Sequence, residues 1–308
     1  MDNLTHSLIG AALGQAGLKR KTGLAMPALI VGANLPDIDA GCVVYGIESL
    51  AMRRGITHGP IALVLLPLLL AGALWWFDRW QERRGKRPEG RLPVRFGWLL
   101  ALSFIACLTH PLFDWFNNYG IRLLEPFSSE WFYGDTLFII DPWIIAMLGM
   151  GVWFSLRRER RSQTRWPRPA RIALAGVAAF VGFNGLQTWF IETTARGDAP
   201  YPRLAVANAV PLAFWKRELL VRTGDGQFDS VGCSMLSCER RPVELKPINM
   251  SDPRIAEWSK NNPAAQAFLF WSRMPIAELH PDRIVLRDQR FLDPRVSGQF
   301  SVTLRPPR

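Results

Sequence analysis

The chain has 308 residues, 49% of them hydrophobic and 20% charged, with 37 Lys+Arg against 26 Asp+Glu and a formal net charge of +11. So much apolar surface, with 13 Trp and 18 Phe to bury, excludes a disordered chain. Glycines without a period and only 4 Cys exclude a collagen-like or disulfide-dense mini-protein.

Residues 4–18 and 23–35 are apolar, rich in small residues and joined by Lys19-Arg20-Lys21. Each is short for a full span and predicts a tilted hairpin helix, or one half-buried against other spans. The start does not read as a secretory signal: Asp2 opens it and no A-x-A-like site follows. Four longer runs come next, at residues 60–77, 98–113, 136–155 and 172–191, almost without charge. A hydrocarbon core about 30 Å thick needs roughly 20 such residues. A helix on a soluble protein keeps a charged face, and these runs have none. The expectation is an all-α polytopic membrane domain of about six helices over residues 1–191.

The basic residues fall into clusters: Lys19 to Lys21, Arg79 to Arg95, and Arg157 to Arg171. Short loops rich in Lys and Arg stay cytoplasmic, and the clusters fit one topology if both N-terminal helices cross. The basicity then reads as an orientation signal. Nucleic-acid binding is not expected, because no aromatic-interleaved basic face accompanies the clusters. Residues 192–308 bring prolines, mixed charge and short β-type segments at 217–222, 283–287 and 299–304, with a helix across 255–273. They predict a small α+β domain on the extracytoplasmic side. Cys233 and Cys238 lie in it; an oxidising compartment permits their bridge, and two free thiols are the alternative.

Three of the four histidines stand at the ends of apolar runs: His6, His58 and His110. Carboxylates accompany them at Asp37, Asp39, Asp114, Asp135 and Asp141. Ionisable groups at membrane depth are costly and usually serve an internal site. In the inferred topology all these groups fall on the outer side, opposite the basic clusters. Imidazoles and carboxylates together suit Zn²⁺, or Mn²⁺. His110 and Asp114 have i,i+4 spacing and face one point if the helix continues past Pro111. Asp37 and Asp39 alternate after Pro36, so an extended turn sends both to one side. Taken singly, each also has a structural reading: His6 at an interface, His58 at a helix start, Asp37 and Asp39 as turn residues. Asp135 reads as a general base or as the cap of the fifth helix, and Asp141 before Pro142 as a site residue or a kink. Arg54 reads as an interfacial cation or as a ligand for an anionic substrate group.

At these residues the sequence resembles the YdjM-like family of membrane-bound metal-dependent hydrolases. The carriers are Thr5-His6-Ser7, Pro36-Asp37-Ile38-Asp39, Arg54-Gly55-Ile56-Thr57-His58, His110-Pro111-Leu112-Phe113-Asp114 and the run from Tyr119 to Phe127. Many members carry His where Arg53 stands and Ser where Gly59 stands, which thins the ligand set here. The resemblance implies a protein of the bacterial inner membrane with a hydrolase activity.

Together these readings predict a membrane-embedded hydrolase acting at the extracytoplasmic face on a phosphoester or lipid-linked substrate. One or two divalent ions would be held by His6, Asp37, Asp39, His58, His110 and Asp114. Asp135 would act as base and Arg54 would hold a phosphate. The expected partner is membrane lipid, and the C-terminal domain is expected to be periplasmic. The rival classes are a metal-ion or small-solute transporter, whose ligands belong near mid-span, and a non-catalytic, metal-stabilised membrane scaffold.

Overall fold

The helices are, in chain order, α1 (Asn3–Gln15), α2 (Ala25–Gly32), α3 (Ser49–Met52), α4 (Pro60–Arg83), α5 (Phe96–Trp115), α6 (Pro142–Arg160), α7 (Arg168–Asp198), α8 (Pro253–Ser259) and α9 (Pro263–Trp271). The strands are β1 (Pro202–Ala209), β2 (Arg217–Thr223), β3 (Gln227–Cys233), β4 (Lys246–Pro247), β5 (Pro275–Leu279), β6 (Ile284–Asp288) and β7 (Ser301–Leu304). The computed structural model describes residues 1–198, 202–224, 226–239, 246–292 and 297–307. They form two compact units, Met1–Ile38 with Arg54–Gly185 and Asp39–Arg53 with Leu186–Arg308.

In the first unit, Asp2 caps α1 by accepting from the Thr5 amide at 3.0 Å and the Thr5 hydroxyl at 2.6 Å, which satisfies donors that a helix start leaves open. Asp141 caps α6 in the same way, accepting from the Trp143 and Ile144 amides. The cap expected at Asp135 is thus supplied by Asp141, directly before a proline suited to the first helical position. The interior is built from small and apolar residues. Ala28, Leu29 and Ala33 from the α2 region meet Ala71 of α4 and Leu99, Leu102 and Ala106 of α5. Ile9 and Ala12 of α1 meet Ile144 and Leu148 of α6 and Val177 of α7. Large apolar side chains point outward: Leu69 is 66% exposed, Trp76 63% and Ile172 61%. Small residues within and large apolar ones without is the arrangement of helices whose surroundings are hydrocarbon.

The charged ends are tied to each other. Lys19 pairs with Glu159, Arg91 donates to Asp78 at 3.1 Å, and Arg171 Nε donates to the Ala16 carbonyl at 2.8 Å. Among the described residues, four segments, not the six expected, are long and apolar enough to span: Ala25–Met52, Pro60–Arg83, Phe96–Trp115 and Arg168–Arg196. With 13 residues, α1 reaches about 20 Å at 1.5 Å per residue, short of the roughly 30 Å core. The 19 residues of α6 end in Arg157, Arg158, Glu159 and Arg160, which shortens its apolar stretch.

In the second unit, β1 to β4 form one antiparallel sheet and β5 to β7 another. Ile191 of α7 packs on Ala205, Ala207 and Leu219 of the first sheet. The segments expected at 217–222, 283–287 and 299–304 correspond to β2, β6 and β7, whereas β1, β3, β4 and β5 were not expected. The helix expected over 255–273 is two, because Pro263 starts a new helix capped by Asn262, whose Oδ1 accepts from the Ala265 amide at 3.1 Å. Cys233 and Cys238 are joined in a disulfide.

The second sheet is pinned by an ion pair with no solvent exposure, Asp288 with Arg290, bonded at 2.8 Å to Oδ1 and 2.9 Å to Oδ2. Ser272 Oγ and the Met274 amide also donate to this carboxylate. Burial by itself would raise the Asp288 carboxyl; Arg290 and Ser272 outweigh it and hold the group below the usual carboxylate range. A depressed folded value means that the contribution is present at neutral pH and is lost as pH falls below about 4. Asp288→Asn should therefore weaken this unit by about 3–5 kcal/mol at pH 7, the cost of stranding a buried partner. Hydrogen exchange over residues 272–290 of the full chain should report this, with the gap between wild type and variant closing as the buffer is acidified.

Candidate metal centre

The site is assembled at one end of the helices of the first unit. His110 and Asp114 lie on the last turns of α5, which continues through Pro111 to Trp115. The i,i+4 spacing therefore delivers both side chains to one point, with His110 Nε2 3.6 Å from Asp114 Oδ2. His58 closes a 3-10 turn (Ile56–His58) directly before α4. The following Gly59 is required by close approach, since a β-carbon there would run into the Glu125 carbonyl. Asp37 follows α2 in a 3-10 stretch and is anchored by its amide to the Asn34 carbonyl at 3.1 Å. Asn34 in turn donates to Ser7 of α1 at 3.0 Å.

Asp37, His58, His110 and Asp114 each bring one ligand atom to within 4.8 Å of all the others, and all four are buried. His110 Nε2 and His58 Nε2 are 3.1 Å apart. His110 Nδ1 lies 2.7 Å from the Ala33 carbonyl, which only accepts, so Nδ1 carries the proton and Nε2 presents its lone pair to the centre. Thr57 Oγ1 sits 2.9 Å from His58 Nδ1 and holds the orientation of that ring. Asp114 is wholly buried. Its Oδ1 meets the Met1 amino group and His6 Nε2 at 3.4 Å, and its Oδ2 meets Arg54 Nε at 2.9 Å and His58 Nε2 at 3.5 Å.

The donor set fits a divalent ion. Among the described residues, neither His6 ring nitrogen nor Asp37 Oδ2 makes a hydrogen bond, although all are buried. Acceptors left so in a dry interior are costly. Two imidazole nitrogens with two carboxylates form the mixed N/O set favoured by Zn²⁺ and available to Mn²⁺.

The other expected residues lie as follows. His6 stacks on His110 with ring centroids 3.8 Å apart and reaches Asp114, but stands outside the group of four. Asp39 belongs to the second unit and is not one of the converging groups. Asp135 is buried between Gly134 and Thr136 with φ 48 and is likewise outside the four. Arg54, 3% exposed and at φ 55, turns its guanidinium to Asp114, to Asn117 Oδ1 at 2.9 Å and to the Gly120 carbonyl at 3.4 Å, above the Tyr119 ring. Asn117 was not singled out from sequence. It also takes the Tyr119 amide at 2.8 Å, and its only sequence signal is the turn-forming run Asn117-Asn118-Tyr119-Gly120 after Asp114. The Ala33 carbonyl and Thr57 carry no such signal.

Two comparisons place this architecture among known proteins. The "Uncharacterized protein YfhP" of Bacillus subtilis (strain 168) is 27% identical over 169 residues, 50% of this chain and 47% of that protein. The chain thus spans about half the length of that curated relative. No solved structure matches. The family described as YdjM inner membrane protein matches residues 1–191, the stretch that holds α1 to α6, most of α7 and every residue of the metal centre. The chain belongs to the YdjM inner membrane protein family.

Proposed function

We propose that this protein is a membrane-embedded, metal-dependent hydrolase whose site opens toward the extracytoplasmic face and takes a phosphoester, most readily one carried on a lipid. The observation that carries this reading is the meeting of Asp37, His58, His110 and Asp114 around one point. A divalent ion bound there supplies Lewis-acid polarisation of an ester oxygen and lowers the pKa of a water. The chain's residues do the rest. The Ala33 carbonyl fixes the His110 imidazole with its Nε2 lone pair inward, and Thr57 holds the His58 ring in place. Arg54 positions the Asp114 carboxylate. His6 adds a further imidazole beside Asp114 Oδ1, where a second ion would find a ligand. Asp135 is proposed as the base that takes the proton from water.

The orientation rests on charge. Lys19 to Lys21, Arg79 to Arg95 and Arg157 to Arg171 adjoin the helix ends opposite the metal centre. Lys/Arg-rich short loops stay in the cytoplasm, so the centre faces outward. The Cys233–Cys238 disulfide suits an oxidising, periplasmic position for the C-terminal unit. A site at the end of the helices meets headgroups first, which favours a lipid-linked substrate over a solute in transit. A second reading, a metal that only ties helices together, is favoured by the complete burial of His58, His110 and Asp114, since structural sites are closed and catalytic ones keep an open position.

The test is metal content and turnover on one preparation. Purified wild type should retain a divalent ion that His58→Ala and His110→Ala each lose, measured by elemental analysis; equal metal in all three would end both readings. Arg54→Gln should weaken metal affinity roughly 10–100-fold, as expected when a ligand's supporting contact goes, and Arg54→Lys should recover part of it. On a panel of phosphate and carboxylate esters, wild type should turn over at least one phosphoester. Asp135→Asn should cut that rate roughly 10²–10⁴-fold with metal retained. Stable metal with no turnover on any ester selects the structural reading.

A further inference from the structure

A groove lies on the surface between α6 and α7. Of about 630 Å³, it follows the seam where Gly151 of α6 meets Ala173 of α7, lined by Met147, Phe154, Ile172 and Gly176 and bounded at its polar end by Arg158 and Arg168. A groove of that size falls within the range of ligand sites, about 300–1,000 Å³. Gly176 leaves space rather than making a contact: a β-carbon there would meet only Met147 Sδ, at 3.6 Å. The floor is fixed by the helix pair itself, since the Ala170 amide donates to the buried Ser155 Oγ at 3.0 Å just below the mouth.

The mouth carries charge without a counter-ion. Among the described residues the Arg158 and Arg168 side chains have no hydrogen bond, ion pair or ring partner, whereas Arg157 lies over Trp153 and Arg171 bonds to Ala16. No acidic residue lines the groove, and Glu159, the one acid between residues 157 and 171, is committed to Lys19. An occupant must therefore offer hydrocarbon to the floor and an anion to the mouth.

We propose that this groove is a binding site for an anionic phospholipid, with an acyl chain along Met147, Ile172 and Gly176 and the phosphate between Arg158 and Arg168. Basic pockets between membrane helices at the Lys/Arg-rich side recognise lipid headgroups through just this pairing of apolar cleft and paired cations. The site is separate from the metal centre, which lies at the opposite end of α6, and does not depend on the hydrolase reading.

The test uses the full chain reconstituted in bilayers of phosphatidylcholine with a minor fraction of phosphatidylglycerol, reading the lipid that stays bound on extraction by native mass spectrometry. Wild type should retain phosphatidylglycerol in preference to phosphatidylcholine. Each of Arg158→Gln and Arg168→Gln should lower that preference roughly five-fold. Gly176→Leu fills the groove and leaves both cations in place, so it should lower retention of both lipids. Equal retention of the two lipids by wild type, or a preference unchanged in the double arginine variant, overturns the proposal. So does a groove closed by a second copy of the chain, seen as a dimer that Gly176→Leu dissociates without changing lipid retention.

Discussion

The structure is organised around a carboxylate that has no access to water. Asp114 sits at the end of α5 with zero exposure, and a charge in such a place is untenable without compensation. The compensation comes from separate stretches of chain: the start of α1, the segment before α4, and α5 itself. Helix packing in the first unit is therefore coupled to the electrostatics of one group. Five nitrogen-bearing neighbours surround that carboxylate: the Met1 amine, His6, Arg54, His58 and His110. Two of them, His58 and His110, bring their Nε2 atoms to 3.1 Å, the distance of a hydrogen bond between the rings. A divalent cation bound there would answer the carboxylate and the imidazoles together.

The same unit separates its charges lengthwise. Imidazoles and carboxylates occupy one end of the helices, and arginines and lysines the other, where they pair locally with Asp78 and Glu159. The middle is held by alanine and leucine contacts that let helices approach closely. Such a layout keeps costly polar groups near the two boundaries and leaves the apolar depth undisturbed. It also explains why helices too short or too charged to count as spans, α1 and α6, still belong to the assembly: each brings one end to the metal centre or its capping turns and the other to the basic face.

Much of the site was legible in sequence because metal ligation demands particular residue types, and few were present in apolar surroundings. Three histidines at helix ends, and an aspartate four residues after one of them, left little freedom in where the ligands lay. The reading faltered where local geometry decides. Asp37 and Asp39 alternate in sequence, but the chain after Pro36 turns as a 3-10 stretch and not as an extended segment, so the two residues are not delivered together. Arg54 carries the charge expected of an anion binder, yet its left-handed backbone aims it back at Asp114. Asn117 and the Ala33 carbonyl were invisible, because a turn asparagine and a backbone oxygen have no distinguishing pattern. The helix count erred for a different reason. The first helix is short, as its length already indicated, and the apolar run 136–155 enters a helix only at Pro142. In the second unit the strands missed were β1, β3, β4 and β5, which depend on their partners for pairing.

X-ray absorption at the metal edge of the loaded, full-length protein tests the central claim most directly. The account predicts a shell of nitrogen and oxygen at about 2.0–2.1 Å with the outer-shell scattering of two imidazoles, if the ion is zinc. A shell of sulfur at about 2.3 Å, or an oxygen shell with no imidazole scattering, would contradict it.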